Sequence, residues 1–167
     1  MGAWGMTLAH AGLGVFVLGA VVETGWRAEA GRALEIGQSL DVGGYTVTLD
    51  DVRMVEGPNY LAEQGRLSVT VEGGRTREVV AERRFFPAGG QTTTEVGLDF
   101  RGLDDVYVTL GERAGSEARP AWSVRVWWNP WARLIFLGPL LMALGGVLSL
   151  LDRRLRVAVG ARKAATA

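Results

Sequence analysis

Cysteine is absent from the 167 residues, and histidine occurs once. The first absence removes disulfides, thiolate metal sites, CxxC redox chemistry and a cysteine nucleophile together. With His10 as the single imidazole, neither a His-rich metal centre nor a complete Ser-His-Asp triad fits inside the chain. An excess of either charge is missing too: 18 basic residues balance 18 acidic ones. No basic patch is interleaved with aromatics, so nothing points to nucleic acid. Internal repeats are lacking as well. What is present is a division, with strongly apolar ends around a middle that reads as ordinary soluble sequence.

The first apolar run, about Gly2 to Val22, measures about 30 Å as a helix, the thickness of a bilayer core. No basic segment precedes it, and Glu23-Thr24-Gly25-Trp26-Arg27 makes a poor small-residue cleavage site, so a retained membrane helix is expected rather than a cleaved signal. The run is rich in Gly5, Ala9, Gly12, Gly14, Gly19 and Ala20, which let another helix or a flat ligand approach the backbone. His10 sits inside this run, where an ionisable side chain is costly without a partner or a task. Gly14, four residues on, shares its face. The second apolar run is Leu134 to Leu151, preceded by Trp127, Trp128 and Trp131 and followed by Arg153, Arg154, Arg156, Arg162 and Lys163. Tryptophan favours the interface and basic residues the cytoplasmic side, which puts both termini in the cytoplasm and the middle outside it.

The middle reads as β. Tyr45, Val47 and Leu49 alternate with polar residues, as do Leu67, Val69 and Val71, then Val106, Val108 and Leu110, then Trp122, Val124 and Val126. Gly73-Gly74 is expected to close a two-residue hairpin, and Gly43-Gly44, Gly57-Pro58-Asn59, Ala88-Gly89-Gly90 and Ala114-Gly115-Ser116 mark further turns. About seven short strands point to a small sandwich or partly open barrel. The expected fold class is therefore a membrane-anchored all-β protein, two transmembrane helices flanking a small extracytoplasmic β-barrel or sandwich. The expected division is residues 1–22 as a helix, 23–130 as the β domain, 131–151 as a helix and 152–167 as a basic cytoplasmic tail.

Six motifs keep an order that resembles the C-terminal part of the CcmF family of cytochrome c maturation proteins. They are Ala9-His10-Ala11-Gly12-Leu13-Gly14, Gly57-Pro58-Asn59-Tyr60, Ala81-Glu82-Arg83-Arg84-Phe85-Phe86, Thr93-Thr94-Glu95, Asp105 to Gly111, and Leu141 to Gly146 running on to Asp152-Arg153-Arg154. The resemblance implies part of a haem lyase, which attaches haem to apocytochrome c in the bacterial inner membrane. It implies that His10 is one axial ligand of a membrane-embedded b-type haem, with Gly14 leaving room for the ring. Glu82, Arg83, Arg84 and Tyr60 are then candidates for partner binding. The implied partners are the tryptophan-rich multi-span remainder of the lyase, a haem chaperone and apocytochrome c-binding subunits. The family's tryptophan-rich segment, its two periplasmic histidines and its other membrane histidine are missing, so this chain is not a complete synthase. Trp127-Trp128-Asn129-Pro130-Trp131 departs from the family, with Asn129 at a position usually held by lysine.

Each feature also has a plainer reading. His10 can be an imidazole hydrogen-bonded to a neighbouring helix carbonyl. The tryptophan cluster reads as an interfacial anchor, Glu82-Arg83-Arg84 as a solvated strand end or turn, and Met6 as core packing rather than a haem ligand. Glu95 and Asp105 carry no spacing that supports catalysis. The alternative function is a membrane-tethered β interaction module without haem.

Overall fold

The structure, a computed structural model, describes residues 2–152. Apart from Asp152, the expected basic tail lies outside the described residues. The chain forms two compact units, one of residues 26–130 and one built from the two ends.

The first unit is entirely β. Its strands are β1 (Ala28–Glu35), β2 (Ser39–Val42), β3 (Tyr45–Glu56), β4 (Leu61–Val71), β5 (Arg77–Phe86), β6 (Gln91–Glu95), β7 (Gly97–Arg101), β8 (Asp104–Ser116) and β9 (Arg119–Asn129). They make two antiparallel sheets, β1-β9-β8-β7 and β2-β3-β4-β5-β6. The period-two segments bury the expected faces. Val47, Leu49, Leu67, Val69, Val106, Val108, Leu110, Val124 and Val126 have no accessible surface, and Tyr45 and Trp122 lie among them. Burial of alternate residues from two facing sheets is what holds a sandwich together.

Nine strands form rather than about seven. The chain pairs from Ala28 onward, through small residues that carry no alternating signal. Gly73-Gly74 makes a turn, with the Gly74 N–H donating to the Val71 carbonyl at 2.9 Å, but the connection is longer than two residues. The Thr70 and Thr76 hydroxyls bond at 2.9 Å across its base. Extra residues bulge from β3 after Leu49 and from β8 after Leu110. Such bulges re-aim the residues that follow.

Charge also ties the sheets. Asp99 of β7 is 3% exposed and accepts from Arg101 Nε at 2.5 Å and Arg77 Nη1 of β5 at 3.2 Å. Arg101 donates onward to the carbonyls of Arg75 and Val69, each at 2.6 Å. Trp128, expected in an interfacial anchor, instead packs on the sandwich core, and its indole N–H donates to Asp104 at 3.0 Å. Its ring lies where a side chain on Gly43 would be, and Gly43 has φ +56°. That turn therefore needs glycine twice over, for the backbone conformation and for the ring.

The second unit is a pair of helices, α1 (Gly2–Trp26) and α2 (Ala132–Leu150), each long and apolar enough to cross a membrane. α1 continues one turn past Val22. The helices run antiparallel on a seam of glycines at seven-residue spacing. A Cβ on Gly5 would stand 2.7 Å from the Gly145 carbonyl oxygen, and one on Gly12 would stand 2.7 Å from that of Gly138. Seven-residue spacing keeps one stripe of a helix against its neighbour. Glycine there lets backbones touch, the attraction that remains when lipid is as apolar as the side chains. At one end the Gly2 N–H donates to the Asp152 carboxylate at 2.5 Å, an acid placed at a helix N-terminus.

Candidate functional site

His10 lies on the face of α1 turned away from the seam. At about 100° per residue it stands about 140–200° round the helix from Gly5, Gly12 and Gly19. The ring is exposed, and its Nδ1 lies 2.8 Å from the Met6 carbonyl oxygen, one turn back in the same helix. The hydrogen bond expected of a plain imidazole therefore exists, but it is made within α1 rather than to a neighbouring helix. It uses one ring nitrogen and leaves Nε2. Gly14 is exposed, and a Cβ on it would meet nothing within 4 Å. Met6, expected to pack in a core, is 59% exposed on the same stripe. The buried residues of the two helices are Gly5, Gly12 and Gly19 of α1 and Ala132, Gly138 and Gly145 of α2, which include the seam glycines. Further along α1, Phe16, Val17, Ala20, Val21, Thr24 and Gly25 line an open apolar hollow. One imidazole nitrogen with clear space beside it is the donor a haem iron takes as an axial ligand, so the residues present fit one side of such a group.

The second candidate site is on the sandwich. Glu82, Arg83 and Arg84 are neither a strand end nor a turn: they lie within β5 between β4 and β6. Alternation along the strand divides them. Glu82 and Arg84 share one face with Tyr60, and Arg83 is on the other. On the first face a hydrogen-bonded row crosses the sheet. Arg53 donates to Gln64 Oε1 at 2.7 and 3.0 Å, Gln64 donates to Glu82 at 2.5 Å, and Arg84 Nε donates to Glu82 at 2.7 Å. The Arg84 guanidinium also sits 4.6 Å from the Tyr60 ring centre and 3.7 Å from Glu95. Tyr60 tilts against Phe86 with ring centres 5.6 Å apart. The Gln64 hydrogen bond holds the Glu82 carboxyl below its ordinary range, with Arg84 adding to this and burial opposing it. Arg84's own hydrogen bond to Glu82 pushes the guanidinium further toward its charged form. The Gly57-Pro58-Asn59-Tyr60 motif is the turn that sets Tyr60 there, closed by the Gly57 N–H to the Tyr60 carbonyl at 2.8 Å.

Arg83 faces inward, between Glu63 at 3.5 Å and Glu112 of β8 at 3.3 Å. The Trp122 indole also donates to Glu63 at 3.5 Å. Arg83 thus ties one sheet to the other and is separate from the cluster of Glu82, Arg84 and Tyr60. Sequence reading missed Gln64, Arg53 and Glu63 because their roles come from register: Gln64 faces Glu82 and Arg53 across two ladders. No group of three or more His, Asp or Glu able to hold a metal ion occurs among the described residues.

The fold is that of a known class. A solved structure, "Cytochrome c Heme Lyase CcmF", superposes with a TM-score of 0.68 at 18% identity, covering 89% of this chain and 24% of that one. Residues 25–130 match the family described as the CcmF C-terminal beta-sandwich, and the chain belongs to that family. "Cytochrome c-type biogenesis protein CycK" of Bradyrhizobium diazoefficiens is 42% identical over 165 residues, 99% of this chain and 24% of the relative. "Cytochrome c-type biogenesis protein CcmF" of Pseudomonas aeruginosa is 38% identical over 159 residues, 95% of this chain and 24% of the relative. The Escherichia coli protein of the same name is 36% identical over 162 residues, 97% of this chain and 25% of the relative. The chain spans about a quarter of the length of these relatives.

Proposed function

We propose that this chain is the C-terminal part of a CcmF-type haem lyase working in cytochrome c maturation. The observation that carries the reading is the match of almost the whole chain to relatives named for cytochrome c-type biogenesis. His10, on the face of α1 opposite the glycine seam, supplies one axial ligand to a b-type haem. Gly14 keeps the adjoining helix surface clear. As the family resemblance implies, a second ligand would come from the part of the relatives' length that this chain does not span. When bound, such a haem supplies one-electron exchange. This chain's own work is to hold one side of the iron and to present the sandwich.

The sandwich lies outside the bacterial inner membrane, with both termini in the cytoplasm. It docks the rest of the lyase, the haem chaperone or the apocytochrome c-binding subunits. The cluster of Tyr60, Arg84 and Glu82 offers an aromatic face and a fixed guanidinium for that contact. Thioether bond formation belongs to the remainder of the lyase.

The test is recovery of the chain from its own membranes in mild detergent, followed by a reduced haemochrome spectrum. A b-type signal with a multi-span partner is expected, and His10→Ala should remove that signal while membrane insertion persists. A chain recovered with neither haem nor partner overturns the reading in favour of a tethered β module. A reporter fused after Thr48 should be extracytoplasmic and one after Ala161 cytoplasmic; the reverse would overturn the orientation.

A further inference from the structure

We propose that the Met6 backbone carbonyl is a positioning group for His10: it holds the imidazole by Nδ1 and makes Nε2 the nitrogen offered to a metal. The inference rests on the haem reading above for what that metal is, and on the hydrogen bond for the rest.

A carbonyl oxygen can only accept, so the nitrogen 2.8 Å from it carries the proton. In the neutral ring the lone pair is then on Nε2. The Met6 carbonyl is also the acceptor that α-helical geometry assigns to the His10 backbone N–H, and its two lone pairs serve both donors. The neighbouring hydroxyl does not compete for the ring, because Thr7 Oγ1 donates to the Ala3 carbonyl at 2.9 Å. The bond also fixes where the ring lies. It folds back over the turn toward Met6, as helical side chains do, and leaves the surface at Gly14 uncovered. A Cβ on Gly14 would meet nothing within 4 Å, so the ring does not cover that turn. A hydrogen bond on the distal nitrogen fixes the ring's tautomer and orientation and strengthens a metal-ligating imidazole as a donor. Here a main-chain group provides it.

One histidine in the chain makes the test direct, because histidine-selective 15N labelling of the full 167-residue chain in detergent micelles reads this ring alone. With the ring neutral, the expected spectrum has a pyrrole-type, protonated Nδ1 and a pyridine-type Nε2, distinguished by their couplings to Hδ2 and Hε1. The opposite tautomer, or an even mixture of the two, overturns the assignment. The haemochrome spectrum of native membranes, run in parallel, separates this result from the wider reading. A protonated Nδ1 without b-type haem would sink the haem reading and support the positioning role. A protonated Nε2 with b-type haem would sink the positioning role and support the haem reading.

Discussion

Gly12→Ala and Gly14→Ala place the same methyl group two residues apart on one helix, and the structure assigns them different outcomes. At Gly12 the new Cβ would lie 2.7 Å from both the Gly138 carbonyl oxygen and the Met142 backbone nitrogen, where ordinary contact begins at 3.4 Å. The obstacles are backbone, so a rotamer change cannot relieve them; the helices must part by several tenths of an ångström along the seam. At Gly14 the same carbon meets nothing within 4 Å. Alanine gains roughly 1 kcal/mol over glycine in a helix interior at either site, so the difference between the variants isolates the seam. Overpacking of this kind costs about 1–3 kcal/mol. For a chain of this size that difference corresponds to roughly 2–4 °C of melting temperature per kcal/mol. The assay is thermal melting followed by far-ultraviolet circular dichroism in one detergent, with the helix signal separated from the β signal by spectral fitting. Gly14→Ala should match or exceed the parent, and Gly12→Ala should fall below it. Equal loss in both variants would refute the seam, and so would a larger loss at Gly14.

Four further outcomes follow from the sandwich. Asp99→Ala should cost about 3–5 kcal/mol in chemical denaturation, because Arg101, 12% exposed, loses its close carboxylate. Glu78→Ala breaks an exposed pair with Arg66 and should cost far less; similar losses for the two would show that burial is not what matters. Glu82 is held below its ordinary carboxyl value in the fold, so its contribution to stability is present above about pH 4.5 and lost as pH falls from there through the lower folded value. Denaturation midpoints measured between about pH 5 and pH 3 should therefore drop less steeply in Glu82→Gln than in the parent. Leu67→Ala, at a site with no accessible surface, should cost about 2–5 kcal/mol by the same denaturant method, and a loss below about 1 kcal/mol would contradict its place in the core.

The strands that the sequence announces are those with one wet face and one dry one. β3, β4, β8 and β9 alternate over at least five residues and bury the expected side chains. β5 hides the signal because its inward face changes from Val79 and Ala81 to Arg83, an inward charge satisfied only by Glu63 and Glu112 from other strands. β6 and β7 are five residues each, too short for a period to declare itself. In α1 the small residues are visible in composition, but they do not form one set. Gly5, Gly12 and Gly19 face α2, whereas Gly14 faces away. The matched spacing of Gly138 and Gly145 in α2 is the signal that separates them, and it needs both helices read together. Of the candidate site residues, Glu82, Arg84 and Tyr60 assemble, and Arg83 does not. A run of three adjacent charges in a strand cannot all point one way.

The first and last strands of the sandwich pair with each other, Ala28 opposite Trp128. The two points where the domain joins the rest of the chain are therefore neighbours on one ladder, about 5 Å apart between Cα atoms. The segment between them can be regarded as a cassette carried by a helical hairpin. An insert whose ends meet disturbs its host little. The same geometry makes the domain removable: joining Gly25 to Trp131 through a short flexible loop should leave the glycine seam intact and give a helical hairpin that can be prepared without its β domain.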